Sequence, residues 1–337
     1  MENTRRHCPD CSNELDRRGF LGTVGGAALA VGSAPLFATC REAVAAPTAT
    51  SKAETAVKAL YDTLSEKQRK VLCFPFDHEL RRKINPNWRI TEPSIASDFY
   101  TNDQRDLIDQ IFRGVTSEDG YERFLKQMED DSGGMGEYTM AIFGEPGSGK
   151  SEWEMTGRHL TIRADGDSVE NAAFGGPIVY GHGEGDGVAG LPGNVFYYQL
   201  KKANEVFLAL DGTQRDKALL AKAPAESRVP IQGENATYPG IAVGELSDDQ
   251  KELVERTIKI ILSPYRQEDV DEAVAMLKAG GGLDKLHLAF YKTDPGGESD
   301  LGEDGEWEIW RLEGPTFVWH FRGQPHVHTY VNIGKKA

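Results

Sequence analysis

An α+β fold, with segregated helices packed on a mostly antiparallel sheet, is what the sequence predicts, and two observations predict it. Apolar residues recur at helical spacing early in the chain and at strand spacing from Gly136 onward, with a second helical block before the final strands. These blocks are grouped rather than strictly alternating, which favours α+β over a doubly wound parallel sheet. No internal repeat is visible along the 337 residues.

Taken in order, the first 45 residues read as an export signal. Arg17 and Arg18 stand just ahead of Phe20-Leu21, an uncharged stretch runs from Phe20 to Phe37, and Ala43-Val44-Ala45 supplies a small-x-small end. Paired arginines in this setting resemble the twin-arginine class, whose cargo crosses the membrane folded. The expected partner is therefore the twin-arginine translocation machinery, and the expected location is periplasmic or extracellular. An uncleaved signal would leave a membrane anchor, and Cys40 faintly resembles a lipidation site. Cleavage after Ala45 leaves only Cys73 of the four cysteines, so no internal disulfide is expected.

Residues 46–52 read as a flexible lead-in to a single domain over 53–337. Ala53–Leu72 has helical spacing, as do Asp103–Arg113 and Glu118–Met128, the last opening on Ser117 as a candidate N-cap. Tyr138–Phe143 and Glu152–Arg163 read as strands. Residues 164–193 form a long Gly- and Asp-rich stretch with one strand near Pro177–Tyr180. Helices are expected at Val195–Leu210, Gln214–Ala223, Asp248–Leu262 and Glu268–Ala279. Strands then follow at Leu286–Tyr291, Trp307–Leu312, Thr316–Phe321 and Val327–Ile333.

The net charge is −15, and residues 1–45 contribute five basic and five acidic side chains, so the remainder keeps the whole excess. Such a surface repels nucleic acid, which needs a basic face for phosphate neutralisation. After the signal no segment approaches a membrane span. The acidic runs Asp165-Gly-Asp167 and Asp300–Asp304 lack the oxygen spacing of a calcium loop and read as solvated turns.

Two motifs compete to carry chemistry. Gly144-Glu-Pro-Gly-Ser-Gly149-Lys150-Ser151 satisfies the phosphate-loop pattern, with Lys150 and Ser151 as the cofactor-binding residues of a nucleotide reading. A working loop of this kind must open a helix, whereas the residues after Ser151 alternate like a strand. A Gly/Pro hairpin between two strands is the reading preferred here. The second motif is His326-Val-His328, whose imidazoles project from one face of a strand and suit a metal ion. His159 is the expected distant ligand, placed with Thr161 on the strand face opposite Leu160 and Ile162. His320, brought near His326 across the turn Arg322–Pro325, and His182 are weaker candidates. A thiolate-free imidazole set suits zinc, copper or iron.

The mature chain also resembles the family of unknown function numbered 3500. The likeness rests on Phe74-Pro-Phe-Asp77 with Arg82 and Asn87-Trp88, Tyr138–Gly147 followed by Trp153 and Gly157-Arg-His-Leu160, Leu246 with Gln250, Tyr265-Arg266, Trp310–Pro315 and His326-Val-His328. The resemblance implies architecture more than activity. Its pattern has a histidine where this chain has Arg158 and an acidic residue where it has His320, so the implied site carries over at His159, His326 and His328.

These readings converge on an exported protein that binds a transition metal through histidines. Its enzymatic form would be a metal-dependent hydrolase or oxidoreductase of unknown substrate. Arg158 would then orient an anionic group, and Glu145 or Glu154 would transfer protons. The alternative is a non-catalytic periplasmic binding or structural protein, and the third reading is phosphate-loop nucleotide binding.

Overall fold

The computed structural model describes residues 46–183, 193–302 and 304–336. The proposed signal, with its paired arginines, its cleavage point and Cys40, lies outside the described residues, as does Glu303 of the second acidic run. Eight α-helices and eleven strands are present among the described residues, and the strands form one sheet. The architecture is α+β, as expected. No helix among the described residues is long and apolar enough to cross a membrane.

Residues expected as a flexible lead-in instead close a turn, Ser51 N–H donating to the Thr48 carbonyl, and pack beside Gly166. The helix expected over Ala53–Leu72 is two helices, α1 (Lys52–Thr63) and α2 (Glu66–Leu72). The break is set by Ser65 and Gln68, whose side chains cap each other's backbone N–H groups. Thr101 and Gln104 make the same box at the start of α3 (Asn102–Val115). The two glutamines then bond to each other, Gln68 Nε2 to Gln104 Oε1 at 2.8 Å, which ties α2 to α3. Ser117 caps α4 (Glu118–Ser132) as expected, its Oγ accepting from Gly120 N–H.

The next elements are α5 (Tyr197–Ala209), α6 (Gly212–Ala218), α7 (Asp248–Leu262) and α8 (Gln267–Ala279). Asp211 is the N-cap of α6, its Oδ1 accepting from Gln214 N–H. The helix expected to run to Ala223 stops at Ala218 because Leu219–Leu220 leave it to pair with the sheet.

The strands are β1 (Cys73–Phe74), β2 (Thr139–Gly144), β3 (Ser151–Gly157), β4 (Leu160–Ala164), β5 (Ile178–His182), β6 (Leu219–Leu220), β7 (Ile241–Ala242), β8 (His287–Tyr291), β9 (Ile309–Gly314), β10 (Phe317–Arg322) and β11 (Val327–Ile333). Their order is β1-β2-β3-β4-β5-β11-β10-β9-β8-β6, with β7 also on β8. Pairing is antiparallel except at β1/β2 and β6/β8.

The single strand expected over Glu152–Arg163 is a hairpin. Gly157 pairs with Leu160, so Arg158 and His159 form a two-residue turn between β3 and β4. The phosphate-loop match is also a hairpin: Gly144 pairs with Ser151 across it, and it enters a strand, leaving no helix N-terminus to face a phosphate. Lys150 lies 3.7 Å from Glu170, and Ser151 N–H is accepted by Ser168 Oγ.

The two faces of the sheet differ. Tyr180, Phe290, Trp310 and Phe321 point to the helical side, where Phe124 of α4 meets Tyr180 and Phe207 of α5 meets Phe290. The other face is covered mainly by irregular chain: Phe76, Leu80, Trp88 and Ile90 pack with Phe74 of β1 on Ala141 and Phe143, and Val229 and Ile231 pack on Val179, Val318 and Tyr330. That second face also buries charge. Glu152 and Glu154 meet Arg163, with Arg81 beyond them, a group that costs desolvation and persists because its charges pair.

Buried acids set a pH dependence. Asp165 and Asp300, expected in solvated turns, are both buried, and Asp300 Oδ2 accepts from Ile309 N–H. Burial is the leading cause that raises Asp300 and Glu308 to about 8. A carboxyl raised above its unfolded value stabilises the fold fully below about pH 4.5 and loses that contribution as pH rises through its folded pKa. Unfolded histidines are half protonated at about pH 6.5 and largely neutral above about pH 7.5, so from there to about pH 8.5 the acids alone set the slope. The thermal midpoint of chelator-treated protein is expected to fall by a few degrees over this range, and Glu308→Gln to flatten the fall. A midpoint that rises with pH would contradict the assignment.

Candidate metal centre

β11 is the strand on which the site is built. It begins just after His326, and alternation along it puts His326 and His328 on one face. On one side it pairs with β5, Gly181 opposite His328, and β5 in turn pairs with β4, Leu160 opposite Tyr180. The β3–β4 turn therefore reaches the same end of the sheet. A Cβ at Gly181 would fall 2.1 Å from the Val327 carbonyl oxygen and 3.4 Å from His159 Cβ, so close approach there requires glycine.

His159 sits in that turn rather than on a strand face beside Thr161. Its φ of 57° is left-handed, a conformation uncommon outside glycine. Surrounding bonds hold it: His159 N–H donates to the Pro86 carbonyl at 2.6 Å, and the Arg158 carbonyl accepts from Tyr138 Oη and Gln127 Nε2.

The result is a triangle of imidazoles. Ring centroids of His159, His326 and His328 lie 4.7, 4.8 and 4.9 Å apart. His326 Nε2 is 3.0 Å from the Nε2 of His159 and 3.0 Å from that of His328. Three nitrogens bound at about 2.05 Å to one tetrahedral zinc stand about 3.3 Å apart, close to these two separations, and all three ligand atoms lie within 4.8 Å of one another. Among the described residues, this is the one group of three or more His, Cys, Asp or Glu whose ligand atoms come this close together.

Two carboxylates fix the outer rings. His159 Nδ1 meets Asp131 Oδ2 at 2.7 Å, and His328 Nδ1 meets Glu226 Oε1 at 3.1 Å. Burial would raise Asp131, but the bonds from His159, Gln127 and the Gly183 N–H outweigh it and hold it below its usual value. Burial opposes Glu226 in the same way, yet His328, Arg322 and Tyr330 pull it down to about 2. Burial is also the main reason that His328 is lowered to about 4. At neutral pH the Glu226–His328 pair is thus carboxylate and neutral imidazole. An ionised carboxylate only accepts, so the Nδ1 atoms of His159 and His328 carry the protons. Both Nε2 lone pairs then point at the same small space, the arrangement typical of metal-bound histidine.

The weaker histidines are not brought there. His320 lies opposite Tyr330 rather than beside His326, and its Nδ1 accepts from Arg311 Nε at 3.3 Å. Burial, with Arg311 next, lowers it to about 3. His182 Nδ1 accepts from Val195 N–H, and its Nε2 is 3.0 Å from Asp130 Oδ2. Of the proton-transfer candidates, Glu145 is exposed in the β2–β3 hairpin, a seven-residue strand away from His159, or about 20 Å. Glu154 is buried mid-strand against Arg163. Arg158 does border the site, its Nε 3.8 Å from Asp131 Oδ1.

The family described as protein of unknown function (DUF3500) matches residues 46–333. The chain belongs to the DUF3500 family. No curated protein and no solved structure shows a significant match. In this DUF3500 chain the histidine triangle is formed by the β3–β4 turn and the start of β11.

Reading the residues alone misses Asp131, Glu226 and Arg322 as parts of the site. Asp131 had a signal: an acidic residue in the last turn of a helix opposes the helix dipole and calls for a partner. Glu226, in the irregular run Ala223–Glu226, had none. Carboxylates that hold the outer ring nitrogens of metal-binding histidines are expected to matter for affinity. Asp131→Asn and Glu226→Gln should each weaken metal binding about 10- to 100-fold in a chelator-competition titration, without loss of folded far-UV signal. Unchanged affinity in both would contradict their role.

Proposed function

We propose that this chain is an exported metalloprotein that holds one transition metal ion on His159, His326 and His328 and uses it as a metal-dependent enzyme. One observation carries the reading: three Nε2 atoms converge, and carboxylates fix two of them as lone-pair donors. A hydrogen-bonded trio without metal can share at most the one proton of His326 among three nitrogens, whereas an ion accepts all three lone pairs. Three protein ligands also leave coordination open for substrate or water, the pattern of catalytic rather than structural zinc.

When bound, the ion would supply Lewis acidity or, if copper or iron, redox chemistry. This chain's residues present the three nitrogens and fix the tautomers of His159 and His328, whose rings they bury. Export is part of the proposal and rests on Arg17-Arg18 ahead of the apolar stretch. Folded export would let the ion be loaded before translocation.

Elemental analysis of folded protein purified under metal-replete conditions tests this reading and names the metal. About one equivalent is expected, with loss of the metal in the His326→Ala/His328→Ala double variant. Sub-stoichiometric metal in the native protein would leave the histidines a structural role only.

A further inference from the structure

Asp131 and Glu226 each hold a pair of groups, one histidine and one arginine. Asp131 takes His159 at 2.7 Å and faces Arg158 Nε at 3.8 Å. Glu226 takes His328 at 3.1 Å and Arg322 Nε at 3.2 Å. Among the described residues, these two carboxylates and two guanidiniums cancel, and the three imidazoles are neutral ligands. A divalent ion placed among them adds two positive charges in a largely buried setting, and such an excess favours an anion in the open coordination space.

The arginines are not equivalent. Arg322 has a side chain 20% exposed and stands 3.2 Å from Glu226 Oε2 as an ion pair, although its Nε is likewise buried with no hydrogen-bond partner among the described residues. Arg158 has a side chain 41% exposed, yet its Nε is buried with no hydrogen-bond partner among the described residues. Its nearest carboxylate oxygen, at 3.8 Å, is beyond hydrogen-bond reach. The position of Arg158 relative to the triangle can be read at Gly183: a Cβ built there would lie 3.0 Å from Arg158 Nη2, 3.2 Å from His159 Cε1 and 2.6 Å from Asp131 Oδ1. Arg158 Nη2, the candidate metal ligand His159 and Asp131 Oδ1 thus border one spot.

We infer that Arg158 binds an oxyanion of the substrate, a carboxylate or a phosphate, beside the ion on His159, His326 and His328. This rests on the metal reading above and adds the substrate class to it. The planar fork of Arg158 suits two oxygens at once. A surface of net charge −15 repels polyanions, so the anion is small.

The test uses full-chain protein loaded with Co(II), whose visible absorption reports on its ligands. Acetate and inorganic phosphate are titrated separately into native protein, Arg158→Gln, Arg158→Lys and the remote surface control Arg113→Gln. Native protein and the control should show saturable spectral change with at least one anion, and the tighter of the two identifies the substrate group. Arg158→Gln should bind that anion about tenfold more weakly or worse at unchanged cobalt affinity, and Arg158→Lys should recover part of the loss. Equal anion affinity in Arg158→Gln, or no anion response in native protein carrying cobalt, overturns the inference. Absence of cobalt bands before any anion is added instead defeats the metal reading itself.

Discussion

The pairing of β5 with β11 is the constraint on which the rest depends. It joins strands from the two ends of the sequence into one sheet, β1 to β5 on one side and β11 back to β8 on the other. The register puts Gly181 opposite His328, and the missing side chain at Gly181 lets β5 approach closely enough for His159 to reach across. A slip of one residue would turn His326 and His328 to the helical face and separate them from His159. The site is therefore a property of the sheet's register more than of any local motif.

Around that register the chain spends buried polarity in a consistent way. The helical face takes Tyr180, Trp310 and Phe321, while the opposite face takes Glu154, Arg163, Arg311 and His320 under two irregular segments. Irregular chain suits that face because its carbonyls and side chains can turn toward buried charge, as Arg228 O does toward Arg311 Nη2 and Arg81 O toward Arg163 Nη1. Glu226 belongs to one of these segments. The covering chain thus supplies half of the carboxylate support for the histidines, and α4 supplies the other half through Asp131.

Much of this was legible in the sequence because it depends on periodicity. The strand alternation of β9, β10 and β11, the Ser117 cap and the shared face of His326 and His328 all follow from local pattern. What escaped was decided by partners distant in sequence. His159 is brought beside His326 and His328 as expected, yet it lies in a turn and not on a strand, because nothing local marks Arg158-His159 as a turn without a glycine or asparagine at the left-handed position. His320 looked close to His326 across a short turn, yet antiparallel register sets it opposite Tyr330. The two-residue strands β1, β6 and β7 are too short to show alternation. Asp165 and Asp300 have turn composition but are buried by contacts that no window of sequence contains.

X-ray absorption of the metal-loaded protein at the metal edge tests the central claim most directly. The account predicts a first shell of nitrogen or oxygen near 2.0–2.1 Å for zinc, with the outer-shell scattering of three imidazole rings, reduced to one ring in His326→Ala/His328→Ala if any metal remains. A shell containing sulfur, or one of oxygen alone with no imidazole scattering, would contradict it.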